Sequence, residues 1–189
     1  VYAIRGNHDY KSYFDNDPFE LSNIKLIKDY SVLNLGDDNI LCIGGAVSID
    51  RINRGTKRQL SGDFTPNIGV DNYWKDEVFN YDDSKLRDLR GINIVVTHTS
   101  PDYCPIDNSY GFGDVVNRYI NNDSELKIDL MEERRNMTLA FQTIKENNDV
   151  KLHLYGHFHM SDSINMYGTE HRVLGVGELW EEKNYKNIL

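Results

Sequence analysis

Three apolar segments, each broken abruptly by asparagine or histidine, constrain this chain more than any other feature. Val1-Tyr2-Ala3-Ile4 runs into Arg5-Gly6-Asn7-His8-Asp9, residues 92–97 run into His98, and residues 150–155 run into Gly156-His157-Phe158-His159. Short apolar, β-branched runs that stop at Gly, Asn or Pro read as strands, and unbroken ones read as strands buried on both faces of a parallel sheet. Residues placed at strand ends can converge on one site although far apart in the sequence. Asn7 and His159 can share a site although about 150 residues separate them.

The residues at these ends share a chemistry. Imidazole nitrogens and a side-chain carbonyl suit a borderline divalent cation. In an extended segment, residues two apart lie on one face, so His157 and His159 are expected to look into a common cavity, with Gly156 allowing the turn. His98 alone reads as an ordinary strand-end residue; its weight comes from the second histidine cluster. Asn7 is a turn residue that also carries a ligand oxygen. Asp9, beside His8, either orients that imidazole or caps the next turn.

The remaining pattern is mixed α/β. Residues 24–27 read as a strand, and 30–35 with 39–47 as a hairpin around Gly36-Asp37-Asp38. Gly44-Gly45 marks a close backbone approach. A short helix is expected near 19–21, another at 82–90 closed by Gly91, and loops over 51–81 and 99–123. The longest helix is expected over 124–147, where Leu126, Leu130, Met137, Phe141 and Ile144 form one apolar stripe and Glu132, Glu133, Arg134 and Arg135 the solvated side. A second hairpin spans 163–167 and 171–176, and Trp180 anchors a polar tail.

Composition narrows the function classes. The 189 residues are expected to form a single domain with its own core. The net charge of −9, from 21 basic and 30 acidic side chains, argues against a broad basic nucleic-acid surface. It does not argue against a phosphate ester, because bound cations supply local positive charge. No apolar run approaches the roughly 20 residues that span a bilayer. Cys42 and Cys104 form no disulfide framework and no CxxC pair, so a reducing, cytoplasmic setting is expected. The chain opens without Met and inside a strand, and we expect further sequence before Val1.

Taken together, Gly6-Asn7-His8-Asp9, the strand-ending His98 and Gly156-His157-Phe158-His159 resemble the calcineurin-like metallophosphoesterase family. The family's motifs run Asp-x-His, Gly-Asp-x-x-Asp, Gly-Asn-His-Asp/Glu, a lone His after a strand, and Gly-His-x-His. The last three stand here in that order, and the likeness runs from Ile4 to at least Val176. Gly44 to Arg51, followed by Trp74 and Glu77, is similar to a segment of bacterial and phage members. The resemblance implies an α/β/β/α two-sheet sandwich over 1–189, without its first strands and helices. It implies phosphate-ester hydrolysis at a dinuclear centre of Mn, Fe, Zn or Ni. Asn7, His98 and His157 would hold one ion, His159 the other, and His8 would be the general acid, with Asp9 beside it. The first two motifs, which would supply the remaining ligands, are absent from these residues. That absence motivates the alternative of a non-catalytic scaffold or half of a split assembly. Substrate identity and oligomeric state are not legible.

Other polar residues read as follows. Arg51, Arg54 and Arg58 sit in a loop and can meet a substrate phosphate bidentately. Tyr103, Tyr110, Phe112 and Trp74 are expected to rim the site. His153 shares strand parity with His157 and reads as structural, and His171 reads as surface or core.

Overall fold

Three largely apolar runs and the more polar strand 169–173 pair in parallel at the centre of the sheet, and their order explains where the polar strand ends go. In the computed structural model, which describes residues 1–19, 21–54, 73–106 and 113–181, a six-stranded sheet has the order β3-β4-β5-β6-β8-β7. Its strands are β3 (Ser31–Leu35), β4 (Asp38–Ile43), β5 (Ile94–Thr97), β6 (Leu152–Tyr155), β7 (Asp162–Met166) and β8 (Thr169–Val173). β4, β5, β6 and β8 are mutually parallel, and β3 and β7 are antiparallel edges. β1 (Tyr2–Ile4) and β2 (Lys25–Ile27) form a separate parallel pair joined through α1 (Lys11–Asn16). The fold is mixed α/β with two sheets, as the resemblance implies, and both expected hairpins are in place.

The core lies between the central strands and the long helix. Leu41, Ile43 and Val95 pack against Met137, Ala140, Phe141 and Ile144. Those four belong to α3 (Leu126–Lys145), whose predicted apolar stripe is buried throughout. Asp123 Oδ1 accepts from the amides of Glu125 and Leu126, satisfying donors that the helix start leaves open.

Several local expectations give way to tertiary context. The helix expected near 19–21 stands instead at α1, and Phe19 and Leu21 are exposed. The helix expected over 82–90 is only a 3₁₀ turn at Asp83–Lys85, capped by the Asp82 carboxylate. The stretch read as loop contains α2 (Asp114–Asn122), whose Val116, Tyr119 and Ile120 pack on Val47, Leu126 and Leu130. Glu133 does not belong to the solvated side of α3. It is 5% exposed and fills the gap between Leu130 and Met137 in the apolar stripe.

Candidate active site

Four chain crossings beyond strand ends build the site. β1 delivers Asn7 and His8, β4 runs on to Ser48, β5 delivers His98, and β6 delivers His157. β5 and β6 are hydrogen-bonded neighbours in register Thr97↔Tyr155, so the residues beyond them are adjacent. The His98 and His157 rings lie 5.1 Å apart between centroids.

The first loop is held from beneath. Arg5 is 1% exposed, and its guanidinium donates to the Asp29 carboxylate at 2.9 Å and the Glu77 carbonyl at 2.6 Å. Gly44-Gly45 is the close approach expected from the sequence. A Cβ on Gly45, where φ is +89°, would sit 2.5 Å from Arg5 Nη2. The Gly45 amide donates to the Arg5 carbonyl at 2.9 Å, tying the end of β4 to the Asn7 loop. Asp9 Oδ2 accepts from the Gly6 amide at 2.7 Å, closing the turn that presents Asn7 and His8.

Asn7 is oriented on both sides. Its Nδ2 donates to Ser48 Oγ at 2.8 Å, and the Ser48 hydroxyl donates to the Asn7 carbonyl at 3.1 Å. Its Oδ1 is therefore the atom facing His98, 3.0 Å from Nε2. Two donor atoms each about 2.1 Å from one cation, at right angles, stand about 3.0 Å apart. That separation, together with the neighbouring His157 ring, fits a shared cation.

The electrostatics favour ligation. Burial, reinforced by Arg5, His8 and His159, pushes His98 down to about 4. Burial, reinforced by His98, His159 and His8, pushes His157 down to about 3. Both rings keep a lone pair at neutral pH, the form that binds metal. His8 and His159 are exposed, and with Asn7 and His157 they line one cleft of about 580 Å³. Its apolar wall includes Ile49, Tyr119 and Phe158.

His157 and His159 reach this cleft by a route other than strand alternation. Both have left-handed backbone, with φ of +69° and +52°, and the Phe158 amide donates back to the Gly156 carbonyl at 2.8 Å. Non-glycine residues held there cost on the order of 1–3 kcal/mol each, and such strain gathers at functional sites.

The arginines are engaged with the protein. Arg51 binds Asp123 at 2.6 Å and also pairs with Asp129. Arg54, 2% exposed, binds Glu77 at 2.6 Å and Asp50 at 3.1 Å. Arg54 Nη2 also comes within 3.5 Å of the Asn7 carbonyl, so it braces the Asn7 loop from behind. Arg51 lines a second depression of about 590 Å³ that touches none of the histidines. The ligand-type groups Asn7, His8, His157 and His159 converge in the first cleft. Arg58, Tyr110 and Phe112 lie outside the described residues. Tyr103 is not at the rim: its ring packs edge-on against His171 at 5.3 Å and Tyr167 at 5.2 Å. Trp74 lies against Tyr10.

Sequence reasoning missed Ser48, Arg5 and Glu133. Glu133 Oε1 accepts from the Thr99 hydroxyl at 2.8 Å, and Oε2 accepts from the Val47 amide. It thereby clamps the segments carrying Ser48 and His98 to α3. The unfilled step in the apolar stripe of α3 was the available signal.

A family model for the calcineurin-like phosphoesterases matches residues 1–161. A search of curated proteins finds no match. Among the described residues, no helix is long and apolar enough to cross a membrane.

Proposed function

The chain belongs to the calcineurin-like phosphoesterase family, and from that premise we propose that it hydrolyses a phosphate ester at a dinuclear metal centre, with His8 as general acid. The observation that carries this reading is the 3.0 Å approach of Asn7 Oδ1 to His98 Nε2 beside the His157 ring. Asn7, His98 and His157 would hold one divalent ion, and His159, across the same cleft, is the residue offered to the other. Such ions, Mn, Fe, Zn or Ni, supply Lewis-acid neutralisation of phosphoryl oxygens and a nucleophile at neutral pH.

The chain's own groups do the rest. Ser48 and Arg54 hold Asn7 so that its oxygen, and not its amide nitrogen, faces the cleft. Burial keeps the His98 and His157 lone pairs unprotonated. His8 is exposed on the cleft wall, where a protonated imidazole can donate to a departing alkoxide. Asp9 accepts from the Gly6 amide and so shapes the loop; in this reading it is a positioning residue for His8. Arg51 and Arg54 take a supporting role in this reading, because their guanidinium donors are directed at carboxylates.

The test is metal-dependent release of p-nitrophenol from mono- and bis-(p-nitrophenyl) phosphate by the protein carrying this chain, stripped and reloaded with Mn²⁺. His98→Ala is expected to lower kcat/KM by about 100-fold or more, as loss of a ligand does. His8→Ala is expected to spare metal binding while slowing release of poor leaving groups by about 10²–10⁴-fold. Folded, Mn²⁺-loaded protein without phosphoester cleavage would refute the proposal.

A further inference from the structure

Cys104, His153 and His171 are buried together, away from the cleft wall, with ligand atoms all within 4.8 Å of one another. Among the described residues they are the one such group of His, Cys, Asp or Glu side chains. The two histidines face each other across neighbouring parallel strands, in register, with their Nδ1 atoms 2.9 Å apart. We propose that these three side chains form a structural site for Zn²⁺ or a similar thiophilic divalent ion, separate from the Asn7–His98–His157 cluster.

The cluster geometry carries the proposal, and the protons must fit it. The Thr97 hydroxyl donates to the Thr99 carbonyl, so it accepts from His153 Nε2, 2.7 Å away. His153 therefore carries its proton on Nε2 and presents a bare lone pair at Nδ1. Without a metal, His171 must place its own proton on Nδ1 to meet that lone pair. Its Nε2 is then a bare acceptor, and Nε2 is buried without a hydrogen-bond partner. A fully buried, unsatisfied polar atom costs on the order of 1–3 kcal/mol and calls for an explanation.

An ion held by both Nδ1 atoms would engage both lone pairs directly. His171 would then carry its proton on Nε2, where no acceptor stands within hydrogen-bond distance, while the Met166 backbone favours the protonated ring. Both Nδ1 lone pairs become ligands, and Cys104 supplies a thiolate. The balance closes: the His171 proton moves from Nδ1 to Nε2, the thiol loses one proton, and one proton leaves per ion bound. Two imidazoles and one thiolate are a donor set for Zn²⁺.

The surroundings are those of a built site. Arg134 Nη2 donates to the carbonyls of Pro101 at 2.7 Å and Cys104 at 2.6 Å, which fixes the loop presenting the sulfur. Phe141 and Tyr103 shield the histidines, with Phe141 4.5 Å from the His153 ring. The Lys145 ammonium opposes a cation at His171, and the thiolate charge offsets it. Through His153 and Thr97, the ion would also stiffen the segment that carries His98.

Titration with Co²⁺ tests the assignment. Thiolate ligation gives a near-ultraviolet sulfur-to-cobalt charge-transfer band that a His/Asn site cannot produce. The band is expected in the wild type and in His98→Ala and His157→Ala, and it is expected to vanish in Cys104→Ser. The chain has two cysteines. Retention of the band in Cys42→Ser therefore assigns it to Cys104 even if Cys104→Ser fails to fold. No band at saturating Co²⁺, or a band lost in Cys42→Ser, would overturn the site without touching the phosphoesterase reading.

Discussion

Replacing Glu133 by glutamine removes a titration from the interior of the protein. Burial lifts this carboxyl from 4.5 to about 7, against the opposing bonds from Thr99 and Val47. The folded state thus holds the proton more tightly than the unfolded chain does. The carboxyl's contribution to stability is complete below about pH 4.5 and is lost as pH rises through about 7. At about 1.36 kcal/mol per pH unit, the whole effect is about 3 kcal/mol, and about 2.5 kcal/mol of it falls between about pH 5 and about pH 8. Glutamine stays neutral throughout. Its carbonyl can accept from the Val47 amide while its NH₂ donates to the Thr99 hydroxyl oxygen, so both contacts can be kept. We therefore expect Glu133→Gln to lie within about 1 kcal/mol of the wild type near pH 5 and to gain about 2.5 kcal/mol on it by about pH 8. Urea unfolding of both proteins in EDTA, across that pH range, measures the difference directly, since all other titrations are shared and cancel. Parallel stability curves would show that Glu133 does not titrate as its burial requires.

Ser48→Ala releases the Asn7 amide, and metal affinity measured by competition with a chelating dye is expected to fall about 10–100-fold, with little change in thermal stability. Gly45→Ala puts a Cβ against Arg5 Nη2 and the carbonyls of Glu77 and Val78 at φ +89°, so a loss of about 3 kcal/mol or more in urea unfolding is expected. Arg5→Met strands the Asp29 carboxylate; about 3–5 kcal/mol of destabilisation is expected, and Asp29→Asn in the same background should recover part of it. Metal-free protein should lose stability as pH falls from about 6.5 toward 4, because His98 binds its proton more weakly folded than unfolded; His98→Asn should flatten that slope in an acid titration followed by circular dichroism.

Much of the architecture was legible because it rests on local periodicity. The apolar runs of β5 and β6 announce buried strands, the turn at Gly36 announces the hairpin of β3 and β4, and the spacing of Leu126, Leu130, Met137, Phe141 and Ile144 announces the helix that covers them. The side chains at the strand ends were legible for the same reason: a histidine that stops an apolar run has no core to enter. Elements decided by contacts far along the chain were less visible. α2 is a helix because Val47, Leu126 and Leu130 cover its apolar residues, and nothing within 114–122 reveals that partner.

The sequence by itself determined which residue types stand beyond which strands, since hydrophobic alternation and turn chemistry act over a few neighbours. Only the tertiary structure decided which way they face. The 3.0 Å between Asn7 and His98 depends on Ser48, Arg5 and the glycine pair at the end of β4. The left-handed backbone that turns His157 and His159 into the cleft is held by the surrounding packing, not by their own preferences. Likewise, His153 and His171 oppose each other only because β6 and β8 are paired in that register. Register, burial and the partners of a charge are properties of chain segments meeting across the fold, and no short window of sequence contains both halves of such a meeting.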